Sequence, residues 1–463
     1  MFGKTKRNLS PGEKRFFCLG AFTVALLFDW IVPGFALART WYIKADGTGD
    51  APTIQAGVDS AAAGDTVMVE AGTFTDTTHV MVAGVLRAVN VHIQKQMTLI
   101  GDPAGDRPFI DGVYGYLGIF VENVSSRVWI AHLSLRGTAF STLTDAERSV
   151  GNASVAREYS ARIRCHSASV EVRDVVISHD HDGVFLSNST AEVRDSELQA
   201  VSMAVLCYDG SEGKICNNTI FDCAIGVECD HSSAQVTGNT IGAPEPAVQG
   251  VGVTCSSSST HVAGNVIRWC GTALTAFGSD VTIDGNKFLN QHENGMSLYN
   301  CSVAITNNCF YHGAYALWAS SGSAGVVSNN TIDHYAAAGI FSELGSSLAI
   351  RNNIMTRVNW GVVCLGATAT IECNDIFDIG SGAYDGCEGL PENGNFSADP
   401  QYCGVDDTGN YFLQSDSPCA PGNHPVGNEC GLIGALPVNC GEVEVQRSTW
   451  GWIKSKFNDG GDQ

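Results

Sequence analysis

A three-residue phrase, Asn followed by any residue and then a large apolar one, recurs through the second half of this chain and restricts its fold more than any other feature. It reads NTI at Asn218 and Asn239, NVI at Asn265, NKF at Asn286, NCF at Asn308, NTI at Asn330, NIM at Asn353 and NDI at Asn374, at intervals of 21, 26, 21, 22, 22, 23 and 21 residues. The long interval contains an insertion, GAPEPAVQG from Gly242, and Val175 and Ser196 hold the Asn position in two earlier units, which gives ten framed units. Each unit carries short alternating runs such as IGVEC, VGVTC and GVVC between Gly, Asn and Ser turns, so the unit is made of strands and not of paired helices. Leu-rich repeats share the period, but their Leu spacing is absent. Stacked coils of parallel strands account for both observations, with each Asn about 4.8 Å from the Asn of the next coil and bonded to it. The expected fold is all-β, a single-stranded right-handed parallel β-helix solenoid in which these asparagines are structural.

A solenoid needs covered ends, because an open coil exposes apolar side chains and unpaired strand groups. PTIQAGVDSAAAGD supplies the first cover: Pro52 near the start, Ile54, Val58 and Ala62 on one face and Gly64 at the stop predict a short N-terminal capping helix. After Asp378 the repeat dissolves into a segment with Cys387, Cys403, Cys419, Cys430 and Cys440. This reads as a disulfide-stapled C-terminal cap over the last coil, with an odd cysteine that either reaches the solenoid, at Cys373, or stays free. The expected division is 1–38 signal peptide, 39–380 β-helix with its N-terminal cap, 381–440 Cys-rich cap and 441–463 tail.

The signal peptide is read from the basic opening (Lys4, Lys6, Arg7, Lys14, Arg15), the apolar run from Phe16 and the small residues ending at Ala38, after which cleavage is expected. A membrane anchor is the alternative, but Asp29 interrupts a run already short for a bilayer. The mature chain then has 21 basic and 46 acidic groups, a formal charge of −25, and 16 cysteines. Such a charge excludes nucleic acid as a partner. An even cysteine count favours disulfides and an exported location: secreted, periplasmic or on the cell surface, with no membrane span after cleavage. A monomer is expected.

The opening TWYIKADGTGDAPTIQAGVDSAAAGDTVMVEAGTFTD and the NNTI turns resemble the pectin-lyase-like right-handed parallel β-helix proteins. The ending, from SADPQYCG to ALPVNC, is similar to the closing module of exported bacterial members. The resemblance covers nearly all of the mature chain and implies the fold. It leaves activity open, since that superfamily holds lyases, hydrolases, esterases, epimerases and non-catalytic surface proteins. VWIAH (128–132) is similar to the VWIDH turn of pectate lyases, but Ala131 stands where that family has its calcium-ligating Asp. The polygalacturonase order NTD, DD, GHG, RIK is not reproduced either, since RIR precedes SHDHDG and the NTD element is missing.

Alternation along IGVECD places Ile225, Val227 and Cys229 inward and Glu228 and Asp230 outward. At the same offset the inward column collects Cys165, Cys207, Cys229, Cys255 and Cys364, as a ladder of free thiols or with a Cys207–Cys229 bridge. The outward column runs through His166, Ser187, Tyr208, Asp230, Ser256, Phe277, Tyr299 and Trp318. Aromatic faces in a line suit a sugar chain, so Tyr208, Glu228, Asp230, Phe277, Tyr299 and Trp318 are the candidate substrate-binding residues; mutual stacking of the rings is the competing reading.

The densest ionisable cluster lies beside that column. His179, Asp180, His181 and Asp182 of SHDHDG, with Arg162 and Arg164 of RIRCH, are the candidate catalytic set: His can move protons, Arg can clamp a uronate, and paired Asp can bind Ca²⁺ or activate water. A solvated polar turn is the plainer explanation. The coil from Leu133 to Val175 is oversized, with TAFSTLTDAERSVGNASVAREY leaving the stack beside the cluster as a candidate lid. His312 and His334 share an offset, with His292 nearby, but turn packing explains them without a metal, and no metal ligands are assigned; Ca²⁺ is the one cofactor considered. The functions these residues allow are polysaccharide binding, with lyase or glycoside hydrolase cleavage if the chain is an enzyme, or a non-catalytic surface structural or adhesion role.

Overall fold

The computed structural model describes residues 38–82, 84–112, 117–137, 161–243, 249–387, 393–404, 408–426 and 430–440, with backbone alone at 179–181, 200–201 and 249. The signal segment other than Ala38, the candidate lid between Gly137 and Ala161 other than Ala161, and the tail from 441 lie outside the described residues.

The chain winds as a parallel β-solenoid of about 14 coils. One strand per coil, from Thr40–Ile43 to Thr368–Glu372, enters a 14-stranded sheet. The second and third strands of each coil, such as Thr219–Phe221 and Ile225–Asp230, complete the wall. In coils such as Val176–Ser187 and Thr331–Glu343 these two run together as one strand. The coil number exceeds the ten framed units because earlier coils carry no Asn at the turn. There Pro108 and Leu133 hold the rung, accepting from the N–H groups of Ser134 and Val176 at 3.0 and 2.9 Å.

From Asn218 to Asn395 the rungs form a continuous amide ladder. Each Nδ2 donates to the next Oδ1 at 2.9–3.0 Å, and that oxygen also accepts the preceding Asn backbone N–H. The residue before each rung turns the chain through the left-handed region, which is why Asn or Gly recurs there: Asn217, Gly238, Gly264 and Gly285 have φ of 56, 65, 62 and 63°. A second ladder joins the third strands to the 14-stranded sheet, where Ser189, Ser211, Ser279 and Ser323 accept backbone N–H groups from the coil before. Buried backbone groups at both corners are thus satisfied, and the interior is left to Val, Ile, Leu and thiols.

Cys165, Cys207, Cys229 and Cys255 are free and buried in that interior. Burial pushes the Cys165 thiol up to about 12, so it packs as a small apolar side chain. Cys364 departs from the expected column of free thiols, because it is bridged to Cys387. The N-terminal helix is Ile54–Ser60, capped by Thr53 Oγ1, which accepts from Ala56 N at 3.1 Å. Ile54, Gly57 and Val58 cover the first coil, and Gly57 is pressed against Ile43 so closely that a Cβ would clash. Ala61, and not the expected Ala62, is the buried alanine, because the helix ends at Ser60.

The Cys-rich segment does more than close the last coil. Cys373–Cys430 ties it to the solenoid and Cys403–Cys440 closes it on itself, while Cys419 stays free. It folds back along the outer face of the second strands, where Leu413, Cys419 and Ile433 pack on Ile354, and Tyr411 and Ala435 pack on Cys309. That outward column alternates Cys309 and Ile354 with Thr331 and Asp375, and Thr331 Oγ1 accepts from the cap at Ala435 N, 3.0 Å.

Asp375 is buried beneath this cap, accepting from Ala398 N at 3.0 Å and from the Cys419 thiol at 3.1 Å. Burial outweighs those bonds and pushes its carboxyl up to about 7, with Asp399 acting in the same direction. The folded chain therefore keeps a proton that the unfolded chain loses near pH ~4. The resulting stability is full below the unfolded pKa and falls as pH rises toward 7. Melting temperatures of the native protein are expected to decline over this interval, and Asp375→Asn is expected to flatten the decline. Identical pH profiles for the two proteins would contradict this.

Candidate functional site

The third strands present two outward columns to one face. In the first, Ser187, Tyr208, Asp230, Ser256, Phe277, Tyr299 and Ser320 stand in register. In the second, two residues earlier on each strand, Arg164, Phe185, Leu206, Glu228, Thr254, Thr275, Ser297, Trp318 and Phe341 follow one another. Trp318 therefore does not continue the line of Tyr299, as its sequence position suggested. It falls one pleat short, because Ser320 is the residue opposite Tyr299.

Outward direction does not mean exposure along the first part of this face. Ala161, Phe185, Met203 and Leu206 form a buried cluster against which Tyr208 and Ile225 pack. Ile225 thus joins the outer cluster, opposite its member Met203, instead of the interior, so alternation counted from Val227 does not extend to it. Glu228 points outward as expected but is only 9% exposed. The Arg164 guanidinium lies 4.7 Å above the Phe185 ring, and Tyr208 meets the same ring at 6.1 Å.

The candidate catalytic set is only partly brought to this face. Asp182 is 0% exposed and stands opposite Ala161 and Met203, so it does not belong to a solvated turn. Arg162 is 1% exposed, with Nη1 3.4 Å from the Arg136 carbonyl. Burial lowers its pKa to about 10 against the pull of Asp111. The side chains of His179, Asp180 and His181 lie outside the described ones, as does the pairing of Asp180 with Asp182 on which Ca²⁺ binding was expected.

Farther along, the aromatics divide into two groups. Phe277 and Tyr299 are stacked 5.0 Å apart at 8°, and Phe277 is 45% exposed. Tyr315, Trp318 and Phe341 meet edge to face or tilted at 5.3–5.7 Å, with Trp318 Nε1 donating to Glu343 at 3.1 Å. Beside the stacked pair lies a floor of short side chains, Thr254, Thr275 and Ser297, extended by Thr272 and by Asn294, which donates to Ser297 Oγ at 3.1 Å. Asp230 is bonded to the exposed His231 at 2.7 Å. The sequence reading passed over Tyr315, Phe341 and this floor. The signal was a column of small hydroxyl residues two positions before the aromatic one.

His312 and His334 occupy successive left-handed turns, but Tyr311 lies against both rings and His334 Nδ1 is held by Asp333 at 3.0 Å. VWIAH forms an ordinary coil, in which Val128–Ala131 is a strand and His132 Nδ1 meets Asp174 at 2.8 Å.

The sequence profile of a family described as "Right handed beta helix region" matches residues 249–390, and that of "Periplasmic copper-binding protein (NosD)" matches 121–296. Among the described residues there is no group of three or more His, Cys, Asp or Glu that could hold a metal ion. No curated protein matches the chain. Among solved structures, the Dettilon tailspike protein is similar at 12% identity and a TM-score of 0.48, covering 69% of this chain and 66% of its own. An exopolygalacturonase from Thermotoga maritima is similar at 12% identity and 0.37, with 70% and 84% covered. The catalytic unit of an α-1,3-glucanase from Streptomyces thermodiastaticus is similar at 13% and 0.38, with 75% and 66% covered. The chain thus spans just under two thirds of the tailspike's length, and at these values none of the three bears on activity. Among the described residues no helix is long and apolar enough to cross a membrane.

Proposed function

This chain is a right-handed parallel β-helix protein, and on that premise we propose that it is an exported protein that binds a polysaccharide along the outward face of its third strands. The observation that carries the reading is the 45% exposure that Phe277 keeps even though it stacks on Tyr299, the competing arrangement, beside a floor of Thr254, Thr275 and Ser297. Sugar rings present an apolar face to aromatic rings and hydroxyls around their edge, and this strip offers both kinds of partner side by side. The three disulfides favour an oxidising compartment.

Recognition is assigned to this face and bond cleavage is not. Of the carboxylates described on it, Asp182 and Glu228 are buried, Asp230 is paired with His231 and Glu343 is held by Trp318 Nε1, whereas a glycosidase pair must flank its substrate. Phe277→Ala with Tyr299→Ala is expected to weaken binding to a glycan retained by the native protein by about tenfold or more. The measurement is a glycan array followed by titration of the best ligand. Unchanged affinity in the double variant for every glycan that the native protein retains would overturn the placement on this face.

A further inference from the structure

The 14-stranded sheet forms a different face of the solenoid, and along its outer side runs a groove of about 510 Å³. Two registered columns floor it, one from Thr190 to Ser302 and the other from Glu192 to Ala304. Six successive coils contribute, which at the spacing of adjacent strands makes the groove about 24 Å long. Arg127 stands at its first end with its guanidinium already engaged by Glu171 at 3.2 Å, and Glu171 also takes Arg194 at 2.8 Å.

The lining decides what could lie there. Among the described residues no Phe, Tyr or Trp lines the groove, so they offer no ring to stack on. Gln235, Ser259 and His261 offer exposed amide, hydroxyl and imidazole groups near its middle. With Arg127 paired to Glu171 and Glu192 to Arg194, Glu212 and Asp280 still outnumber Lys214, so a polyanion would be repelled. A neutral chain with donors and acceptors at every step meets these groups without a charge penalty. The rungs repeat in a straight line at about the length of one pyranose in an extended glycan, whereas a coiled glycan would leave the line. We propose that this groove is a second glycan site, for a neutral, extended β-1,4-linked oligosaccharide of about five residues.

The test is calorimetric titration of the mature protein with cellohexaose, xylohexaose and mannohexaose, using maltohexaose and hexagalacturonate as controls. Three variants separate the faces: Ser259→Trp, which fills the middle of the groove from an exposed position; Gln235→Ala with His261→Ala; and Phe277→Ala with Tyr299→Ala. At least one of the three β-1,4 hexaoses is expected to bind with an affinity that the aromatic-face variant leaves unchanged and that each groove variant lowers by about tenfold or more. Both controls are expected to bind the groove at least about tenfold more weakly. The proposal is overturned if none of the three binds, if the groove variants leave binding unchanged, or if hexagalacturonate binds the groove as tightly. Binding lost only in the Phe277/Tyr299 variant would support the aromatic face and reject the groove, so the two readings fail separately. Unaltered melting curves of the variants confirm that each remains folded.

Discussion

Asn308→Ala is expected to destabilise the solenoid by about 4 kcal/mol, because it removes a rung whose amide serves three coils at once. Asn308 Oδ1 accepts the backbone N–H and the Nδ2 of Asn286 at 2.9 and 3.0 Å. Its Nδ2 donates to the Ile283 carbonyl and to Asn330 Oδ1, both at 3.0 Å. Alanine would leave the Asn286 amide N–H and the Ile283 carbonyl buried without these partners, and each such loss costs roughly 1–3 kcal/mol. The adjacent Asn307 is the control. It is exposed, with φ of 58°, so Asn307→Gly suits the left-handed turn and should change stability by less than about 1 kcal/mol. Urea unfolding of the two variants gives the comparison. A cost below about 1 kcal/mol for Asn308→Ala would mean that the ladder is not an energetic element of the fold.

Asp333→Ala is expected to release the C-terminal cap while leaving most of the solenoid intact. Asp333 is fully buried and accepts from Thr356 Oγ1 at 2.9 Å, Arg357 Nε at 2.8 Å and the Tyr411 hydroxyl at 2.9 Å. Burial opposes its ionisation, but Arg357 and His334 outweigh burial and hold the carboxyl below its usual range. Removing the carboxylate leaves the buried Tyr411 hydroxyl without its acceptor, a loss of roughly 1–3 kcal/mol, while the Arg357 guanidinium, 35% exposed, turns to water. Tyr411 is the cap's contribution to the cluster, so the loss is expected at the seam between cap and second strands. Limited proteolysis should cut the variant within residues 396–440 sooner than the native protein, with little change in the far-ultraviolet signal of the coils. Equal rates of cutting would show that the disulfides alone hold the cap.

These two sites lie at opposite limits of what could be read in advance. The rung at Asn308 is visible in the phrase NCF and its interval, because a solenoid repeats its local hydrogen bonds and so repeats the residues that make them. Asp333 follows Ile332 in a coil that looks like its neighbours, and nothing nearby marks it as the anchor of Tyr411, 78 residues later. The same contrast separates the capping helix, legible from its local apolar face and stop, from the sideways path of the C-terminal segment. That path depends on a column of Cys309, Thr331, Ile354 and Asp375 that is assembled only after the coils stack.

The amide ladder, with its Asn217–Asn218 type of turn, determined from local chemistry alone that this chain would be a stack of parallel coils with a thiol- and aliphatic-filled interior. Tertiary structure decided the number of coils, because rungs such as Pro108 and Leu133 are satisfied by backbone bonds and carry no Asn. It also decided which outward residues meet solvent. A residue two places off the register changes column, as Trp318 does, Ile225 packs in the outer cluster opposite Met203, and burial removes Asp182 and Glu228 from a face to which alternation had assigned Glu228. The groove from Thr190 to Ser302 was the least legible of all, since each coil contributes only one or two polar or charged side chains to it, and their union exists only at the spacing of stacked strands.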